Sequence, residues 1–163
     1  MKVLRFLDEN IEKIICVICL GLMSAIIVLQ VFFRYVLNNS LSWSEEIARY
    51  LFIWMIYIGI SYGVKLDKHI CVDAIYSMMP KKVQRPYAIV ANILFLLFAV
   101  AIIYFGTIVV GMQISSGQLS PATGIPMQYI YAAPVVGMVL TVIRLIQRIV
   151  NTVREMGQNE KEA

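Results

Sequence analysis

Four long apolar stretches dominate the pattern of hydrophobic and polar positions along the chain. They occupy residues 14–33, 47–64, 87–112 and 127–145. A helix rises about 1.5 Å per residue and the hydrocarbon core of a bilayer is roughly 30 Å thick, so a spanning helix needs about 20 apolar residues. The pattern therefore predicts an all-α membrane protein with four transmembrane helices. We expect a single integral membrane domain over residues 1–163 that ends in a tail over residues 146–163.

The first connection between these stretches indicates how the second helix begins. Ser42 and Glu45 have the spacing of a capping box, and Glu45 precedes Arg49 by one helical turn, in the order that favours an ion pair. A solvated helix start with one ion pair would explain these residues. The alternative is a contact with another subunit at the outer surface of the membrane, made by Trp43, Glu45, Glu46 and Arg49.

The second connection, residues 65–86, has apolar residues at helical spacing. The pattern consists of Ile70, Cys71, Ala74, Ile75 and Met78, with His69 and Asp73 beside them. This spacing predicts a short amphipathic helix that lies on the membrane surface between the second and third spans, with a flexible loop as the alternative. The basic residues that follow, Lys81, Lys82 and Arg85, are expected to contact lipid headgroups.

The third connection, residues 113–126, carries no charge. It contains Gly117, Pro121, Gly124 and Pro126 among serine and threonine residues. Glycine and proline at this density mark turns. We therefore expect a turn-rich outer loop, whose composition suits translocation and docking equally well.

Composition and charge sharpen the prediction of a membrane protein. Hydrophobic residues make up 60% of the chain and charged residues only 15%, with a mean hydropathy of +0.78. Soluble domains carry about 25% charged residues, so this composition excludes an ordinary soluble domain. All 14 Lys and Arg residues except Arg34 and Arg49 lie in the amino-terminal segment, in the second connection, or at the end of the fourth stretch and in the tail, where Arg144 is the first. Because basic residues are retained on the cytoplasmic side, both termini are predicted to be cytoplasmic.

One face of the second predicted helix is both polar and aromatic. Glu46, Tyr50, Trp54, Tyr57 and Ser61 are separated by 4, 4, 3 and 4 residues, which places them on one stripe. The stripe indicates either a contact with a partner or hydrogen bonding within the bundle. The alternative is simple core packing combined with the usual gathering of tyrosine and tryptophan near the membrane surface.

Small residues repeat at four-residue spacing in three of the predicted helices. The repeats are Gly21 with Ala25, Gly59 with Gly63, and Ala133 with Gly137 and Thr141. Such repeats let helix backbones approach closely. They predict that helices pack together, without saying which ones.

Several kinds of chemistry lack the residues that they require. The only histidine, His69, lies outside the spans, and Cys16 and Cys19 lie in an apolar helix without an adjacent base. The sequence has no phosphate-binding glycine loop and no ionisable group deep in a predicted span. We therefore expect no enzymatic activity, no cofactor, no metal site and no nucleic-acid partner. An accessory membrane subunit fits these features best.

The chain resembles the small membrane subunit, of the DctQ type, of tripartite ATP-independent periplasmic (TRAP) transporters. The resemblance covers nearly the whole chain and rests on five motifs. These are QVFFRY at residues 30–35, LSWSEEIARY at 41–50, KHICVD at 68–73, GIPM at 124–127 and YAAP at 131–134.

The resemblance implies partners, a location and a role. A soluble periplasmic protein would capture an organic acid, of the dicarboxylate or sialic acid class, and deliver it to a sodium-driven complex in the bacterial inner membrane. A large subunit would move the substrate like an elevator, while the small subunit serves as a fixed scaffold and as part of the docking surface. The implied partner-contact residues are Trp43, Glu45, Glu46, Arg49 and Trp54, with His69 and Asp73 on the surface helix. The stripe on the second helix adds Tyr50 and Tyr57 as candidates for the same contact. A stand-alone four-helix transporter or a membrane assembly factor is the alternative.

Overall fold

The computed structural model of the chain describes residues 2–66 and 81–159, and the side chains at 10–66, 87 and 89–150. Over these residues the chain forms four helices: α1 (Lys2–Tyr35), α2 (Ser42–Lys65), α3 (Lys81–Ser116) and α4 (Gln128–Asn159). Each contains a segment that is long and apolar enough to cross a membrane, namely Asn10–Tyr35, Ser42–Lys65, Ile89–Ser116 and Gln128–Val150. The prediction of an all-α chain with four such helices is confirmed. The predicted surface helix, with His69 and Asp73, lies outside the described residues.

The helices form a single row rather than a closed bundle. Within the described part of the chain, α1 packs on α2, α2 packs on α4, and α4 packs on α3. The order in space is therefore α1, α2, α4, α3, with α1 and α3 at the edges. Because an edge helix has only one neighbour, much less of its apolar segment is buried than in the two central helices.

The two ends of this row are formed by different parts of the chain. One end, here called the loop end, carries the connection from α1 to α2 and the loop from α3 to α4. The other end, here called the terminal end, carries the beginning of α1, the end of α2 at Lys65 and the continuation of α4 beyond residue 145. Helix α4 remains helical to Asn159, so most of the predicted tail extends the last helix.

The face of α1 that meets α2 follows a regular stripe. Its positions alternate by four and three residues and are buried or half-buried, while most of their neighbours are exposed. The stripe consists of Glu12, Cys16, Cys19, Met23, Ile26 and Gln30. In its middle, the Cys16 thiol donates to the carbonyl oxygen of Met55 at 3.7 Å. Both cysteines are free thiols and act here as packing residues, but both ends of the stripe are polar.

A close helix crossing joins α2 to α4 at Gly137. A Cβ atom at this position would lie 2.5 Å from the Cβ and 2.7 Å from the carbonyl oxygen of Tyr57. Ala133 and Thr141, one turn away on either side, are fully buried. The small-residue repeat of α4 is therefore a helix contact, because only glycine lets the two backbones approach this closely.

The glycines of the other two small-residue repeats do not lie at such a close helix contact. A Cβ at Gly21 or Gly63 would meet no atom within 4 Å, and one at Gly59 would lie 3.9 Å from the Cys16 sulfur, an ordinary contact. Spacing alone therefore did not identify the helix crossing.

The start of α2 corrects one prediction. Leu41 occupies the N-cap position in an extended conformation, without a side-chain cap, and Ser42 is already helical. The capping box of Ser42 and Glu45 is therefore wrong, because a capping side chain must precede the first helical residue. Among the described residues, no ion pair joins Glu45 to Arg49; the Glu45 carboxylate instead accepts a hydrogen bond from Gln30.

Candidate assembly surface and its buried carboxylates

A buried glutamate organises the loop end. The side chain of Glu46 is only 9% exposed, and both of its carboxylate oxygens accept hydrogen bonds. The Tyr50 hydroxyl donates to one oxygen at 2.6 Å, and the backbone N–H groups of Ala122 and Thr123 donate to the other at 3.1 and 3.0 Å. A carboxylate out of water needs such donors to offset its lost hydration. Glu46 therefore fixes the loop between α3 and α4 to the first turns of α2.

The loop that Glu46 holds has its own hydrogen bonds. The Ser120 N–H donates to the Ile125 carbonyl at 3.0 Å, and the Gly124 N–H donates to the Ser120 carbonyl at 3.0 Å. The hydroxyls of Ser120 and Thr123 lie 2.6 Å apart. Gly124 has a φ of +67°, in the left-handed region that glycine adopts without strain. The turn-rich loop predicted from the sequence is therefore a closed, anchored loop.

A second polar cluster ties α1 to α2 at the same end. Gln30, on the last turns of α1, is 7% exposed. Its side-chain oxygen accepts a hydrogen bond from the Ser44 hydroxyl, and its amide nitrogen donates to Ser40 at 3.5 Å and to Glu45 at 3.4 Å. One buried amide therefore joins the end of α1, the connection and the first turn of α2.

The terminal end is held by a buried ionic cluster. Glu12 on α1 is only 2% exposed. One carboxylate oxygen accepts hydrogen bonds from the Ser61 hydroxyl at 2.9 Å and from Nε of Arg144 at 2.9 Å. The Lys65 ammonium lies 3.8 Å from the other oxygen. Three helices thus meet at one carboxylate, although α1 and α4 are not adjacent in the row.

The sequence reasoning missed Glu12. The predicted first span began at residue 14, whereas the apolar segment of α1 begins at Asn10 and includes Glu12. The spacing from Glu12 through Cys16 and Cys19 to Gln30 would have indicated its position, because it places both polar residues on the face that packs against α2.

The residues predicted to contact a partner fall into two groups. Glu45 and Arg49 are exposed on one face of α2, together with Phe52 and Ile56 on the following turns. Trp43 is also exposed, at 39%. These side chains are available to a partner, and such a contact remains a prediction.

The polar and aromatic stripe on α2 lies closer to the other helices. Glu46, Tyr50 and Ser61 make hydrogen bonds within the chain, and Tyr57 faces the Gly137 crossing. Trp54 is half-buried. The stripe thus supplies hydrogen bonds within the bundle, which was one of the two functional interpretations, while partner contacts of its members remain predictions.

The remaining predicted site residues lie near the start of α3. Lys81, Lys82 and Arg85 belong to its first turns, and their contact with lipid headgroups remains a prediction. No group of three or more histidine, cysteine, aspartate or glutamate side chains that is suited to a metal ion occurs among the described residues. The polar groups described above join helices and loop to one another.

Comparison with known proteins places this arrangement in a family. Residues 23–155 match the family described as "Tripartite ATP-independent periplasmic transporters, DctQ component". The match covers most of the chain. The chain belongs to the DctQ family. It is thus a small permease subunit of the TRAP transporter type.

Curated relatives of this DctQ chain agree with the family match. A putative TRAP transporter small permease protein of Haemophilus influenzae is 30% identical over 91% of the chain and 91% of its own length. The sialic acid TRAP transporter small permease protein SiaQ of Vibrio cholerae is 32% identical over 65% of the chain and 61% of its own length.

A third relative is much longer than the DctQ chain. The isethionate TRAP transporter permease protein DctMQ of Oleidesulfovibrio alaskensis is 30% identical over 95% of the chain, which spans 25% of that protein. In that relative the small permease component is one part of a larger permease polypeptide. Small TRAP permeases therefore work together with a large permease component.

Three of the motifs that carry the DctQ resemblance meet at the loop end. Gln30, the first residue of QVFFRY, bonds to Ser44 and Glu45 of LSWSEEIARY. The hydroxyl oxygen of Tyr50, the last residue of that motif, lies 3.7 Å from the sulfur of Met127 in GIPM. Motifs that are distant in the sequence thus form one structural unit in this DctQ chain.

Proposed function

We propose that this DctQ chain is the fixed scaffold of a TRAP transporter. It would hold the large permease subunit in the bacterial inner membrane during sodium-gradient-driven uptake of an organic acid. A periplasmic binding protein would deliver the acid, and the scaffold would supply part of its docking surface. Both termini would face the cytoplasm, with Lys81, Lys82 and Arg85 near lipid headgroups.

One observation carries this proposal: the two buried carboxylates hold the chain to itself. Glu12 joins three helices at one end, and Glu46 anchors the loop at the other. A subunit that moves a polar solute needs polar groups that line a path across the membrane. Carboxylates that are occupied in this way support a structural role.

The identity of the transported acid would depend on the partners. The names of related small permeases and permeases specify sialic acid, C4-dicarboxylate, ectoine and isethionate. We propose an acid of the dicarboxylate or sialic acid class for this chain. A scaffold that holds the substrate-bearing subunit is compatible with such a range, since it need not contact the substrate.

The contact with the large subunit would centre on the exposed side of α2. Arg49 lies there near the loop end, beside the apolar side chains of Phe52 and Ile56 and one turn after Glu45. Trp43 is exposed on another side of the first turn. An exposed Arg49 in an apolar helix favours a partner that supplies an acceptor or a carboxylate, because an unpaired charge in lipid is costly. Tyr50, Trp54 and Tyr57 would support this face from within, and Glu46 would position the adjacent loop.

Co-purification with the large subunit tests the proposal. Replacing Arg49 with alanine should reduce recovery of the large subunit and lower substrate uptake in proteoliposomes that also receive the binding protein. Lys13→Ala is the matched control, because Lys13 is an exposed basic residue of α1 at the terminal end. This change should leave the recovery of the large subunit and the uptake of substrate unchanged. Solute movement by this chain alone, or full recovery of the large subunit with Arg49→Ala and Trp43→Ala combined, would refute the scaffold role.

A further inference from the structure

A cavity of about 240 Å³ opens at the loop end between α1 and α2. Its walls come from the last turns of α1 and the first turn of α2. The hydrogen bonds between helices and loop that are described above do not fill this space. The residues that line the cavity indicate which ligand it can bind.

The floor of the cavity is a fixed polar network. Gln30 and Ser44 line it, and their side chains are 7% and 1% exposed. The Ser44 hydroxyl lies within hydrogen-bonding distance of the Gln30 amide oxygen and of the Leu41 carbonyl, to either of which it can donate its one proton. Buried polar groups in such a network have defined positions, so the cavity has a rigid base.

The rim carries two opposite charges that do not pair with each other. Arg34 and Glu45 both line the cavity, and no ion pair joins them among the described residues. The Arg34 guanidinium lies 5.7 Å from the ring centre of Tyr35. A ligand that carries separated negative and positive charges would complement this rim.

The lower wall is apolar and leads into an exposed groove. Ile27 and Val31 line the cavity and are 47% and 50% exposed. Hydrocarbon would cover these side chains while the rim holds a polar group.

The depth of the cavity matches the surface of the membrane. Arg34 is the penultimate residue of the apolar segment Asn10–Tyr35, and Glu45 lies in the first turn of the segment Ser42–Lys65. Phospholipid headgroups lie at this level, above the hydrocarbon core. The site therefore combines a charged rim at headgroup level with an apolar groove below it.

We propose that this cavity binds one aminophospholipid, with its phosphate on Arg34 and its ammonium on Glu45. Arginine pairs well with phosphate. A primary ammonium has N–H donors for the carboxylate, whereas the quaternary ammonium of a choline lipid has none. The acyl chains lie along Ile27 and Val31. The lipid holds α1, an edge helix with a single neighbour, in place at the loop end.

Lipid retention by the full-length chain tests this proposal without any partner subunit. The chain is reconstituted in nanodiscs that contain dioleoylphosphatidylethanolamine and dioleoylphosphatidylcholine in equal amounts, and the retained lipid is counted by native mass spectrometry. We expect one retained phosphatidylethanolamine, favoured about tenfold over phosphatidylcholine. Arg34→Gln and Glu45→Gln should each reduce this preference about tenfold, since each removes one charge-assisted contact.

Two controls make the result decisive. Lys13→Gln removes an exposed charge from the opposite end of α1 and should leave the preference intact. Thermal unfolding of each variant in phosphatidylcholine alone shows that the fold is retained. Equal retention of both lipids by the unaltered chain, or an unchanged preference in Arg34→Gln and Glu45→Gln, would overturn the site.

Discussion

The two ends of the helix row use the same side chain in different ways. At the terminal end, the Glu12 carboxylate lies against the cations of Arg144 and Lys65 and joins α1, α2 and α4. At the loop end, the Glu46 carboxylate is held by neutral donors from Tyr50 and the backbone of the loop. A buried carboxylate in this fold is therefore either one partner of an ionic contact between helices or the anchor of a loop. Removing each carboxylate should therefore have different consequences.

The largest effect is expected from Glu12→Leu. The change leaves the Arg144 guanidinium buried without its carboxylate, and breaking a buried pair in this way costs about 3 to 5 kcal/mol. Thermal unfolding in detergent should show this loss. Lys13→Ala, which changes an exposed residue, is the control, and its free energy of unfolding should stay within about 0.5 kcal/mol of that of the unaltered chain.

A double variant separates the ionic tie from simple packing. Glu12→Leu combined with Arg144→Leu removes both charges and should recover part of the stability lost in Glu12→Leu. If Arg144→Leu lowers the free energy of unfolding by the same amount in the Glu12→Leu variant as in the unaltered chain, the two side chains act independently. The terminal end is then not held by their pairing.

The next effect is expected from Gly137→Ala, which lies between the two ends. The new Cβ would press against the backbone of Tyr57, so α2 and α4 must separate, at a cost of about 1 to 3 kcal/mol. Gly111→Ala is the matched control, because a Cβ there meets nothing within 4 Å. Hydrogen exchange should increase at both ends of the row in Gly137→Ala. An increase at one end alone would show that the crossing does not couple them.

A smaller and local effect is expected from Glu46→Gln. The amide keeps one acceptor oxygen where the carboxylate had two, so it cannot satisfy both Tyr50 and the loop N–H groups. Protection of the Ala122 and Thr123 amides from hydrogen exchange should fall about tenfold, equivalent to about 1.4 kcal/mol. Glu45→Gln on the neighbouring exposed position is the control. An equal loss of amide protection around Glu12 would show that the two ends of the row do not respond independently.

The smallest effects come from the hydroxyl donors. Ser61→Ala removes one donor from Glu12, and Tyr50→Phe removes one from Glu46. Each should cost about 1 kcal/mol, because the other donors of each carboxylate remain. Thermal unfolding of the two variants side by side checks the comparison. A loss of stability in Ser61→Ala as large as that in Glu12→Leu would show that the Ser61 hydroxyl, and not the ionic pair, stabilises the terminal end.

Sequence reasoning identified much of the loop end and little of the terminal end. Glu46 and Tyr50 were found because these polar residues interrupt an apolar helix at helical spacing, and the same stripe reaches the terminal end only at Ser61. Glu12 was missed because it lies beside the apolar run, where a charged residue is ordinary. Its partner Arg144 lies 132 residues away, and no local pattern indicates a pairing across that distance.

The sequence by itself determined that the chain has four membrane-spanning helices joined by connections of different character. This follows because span length and apolarity are local properties, set by the thickness of the bilayer. Only the tertiary structure decided the order of the helices in the row, the close crossing at Gly137 and the partners of Glu12 and Glu46. These depend on how each helix is rotated against its neighbours, and that rotation is fixed by the packing of all the helices together.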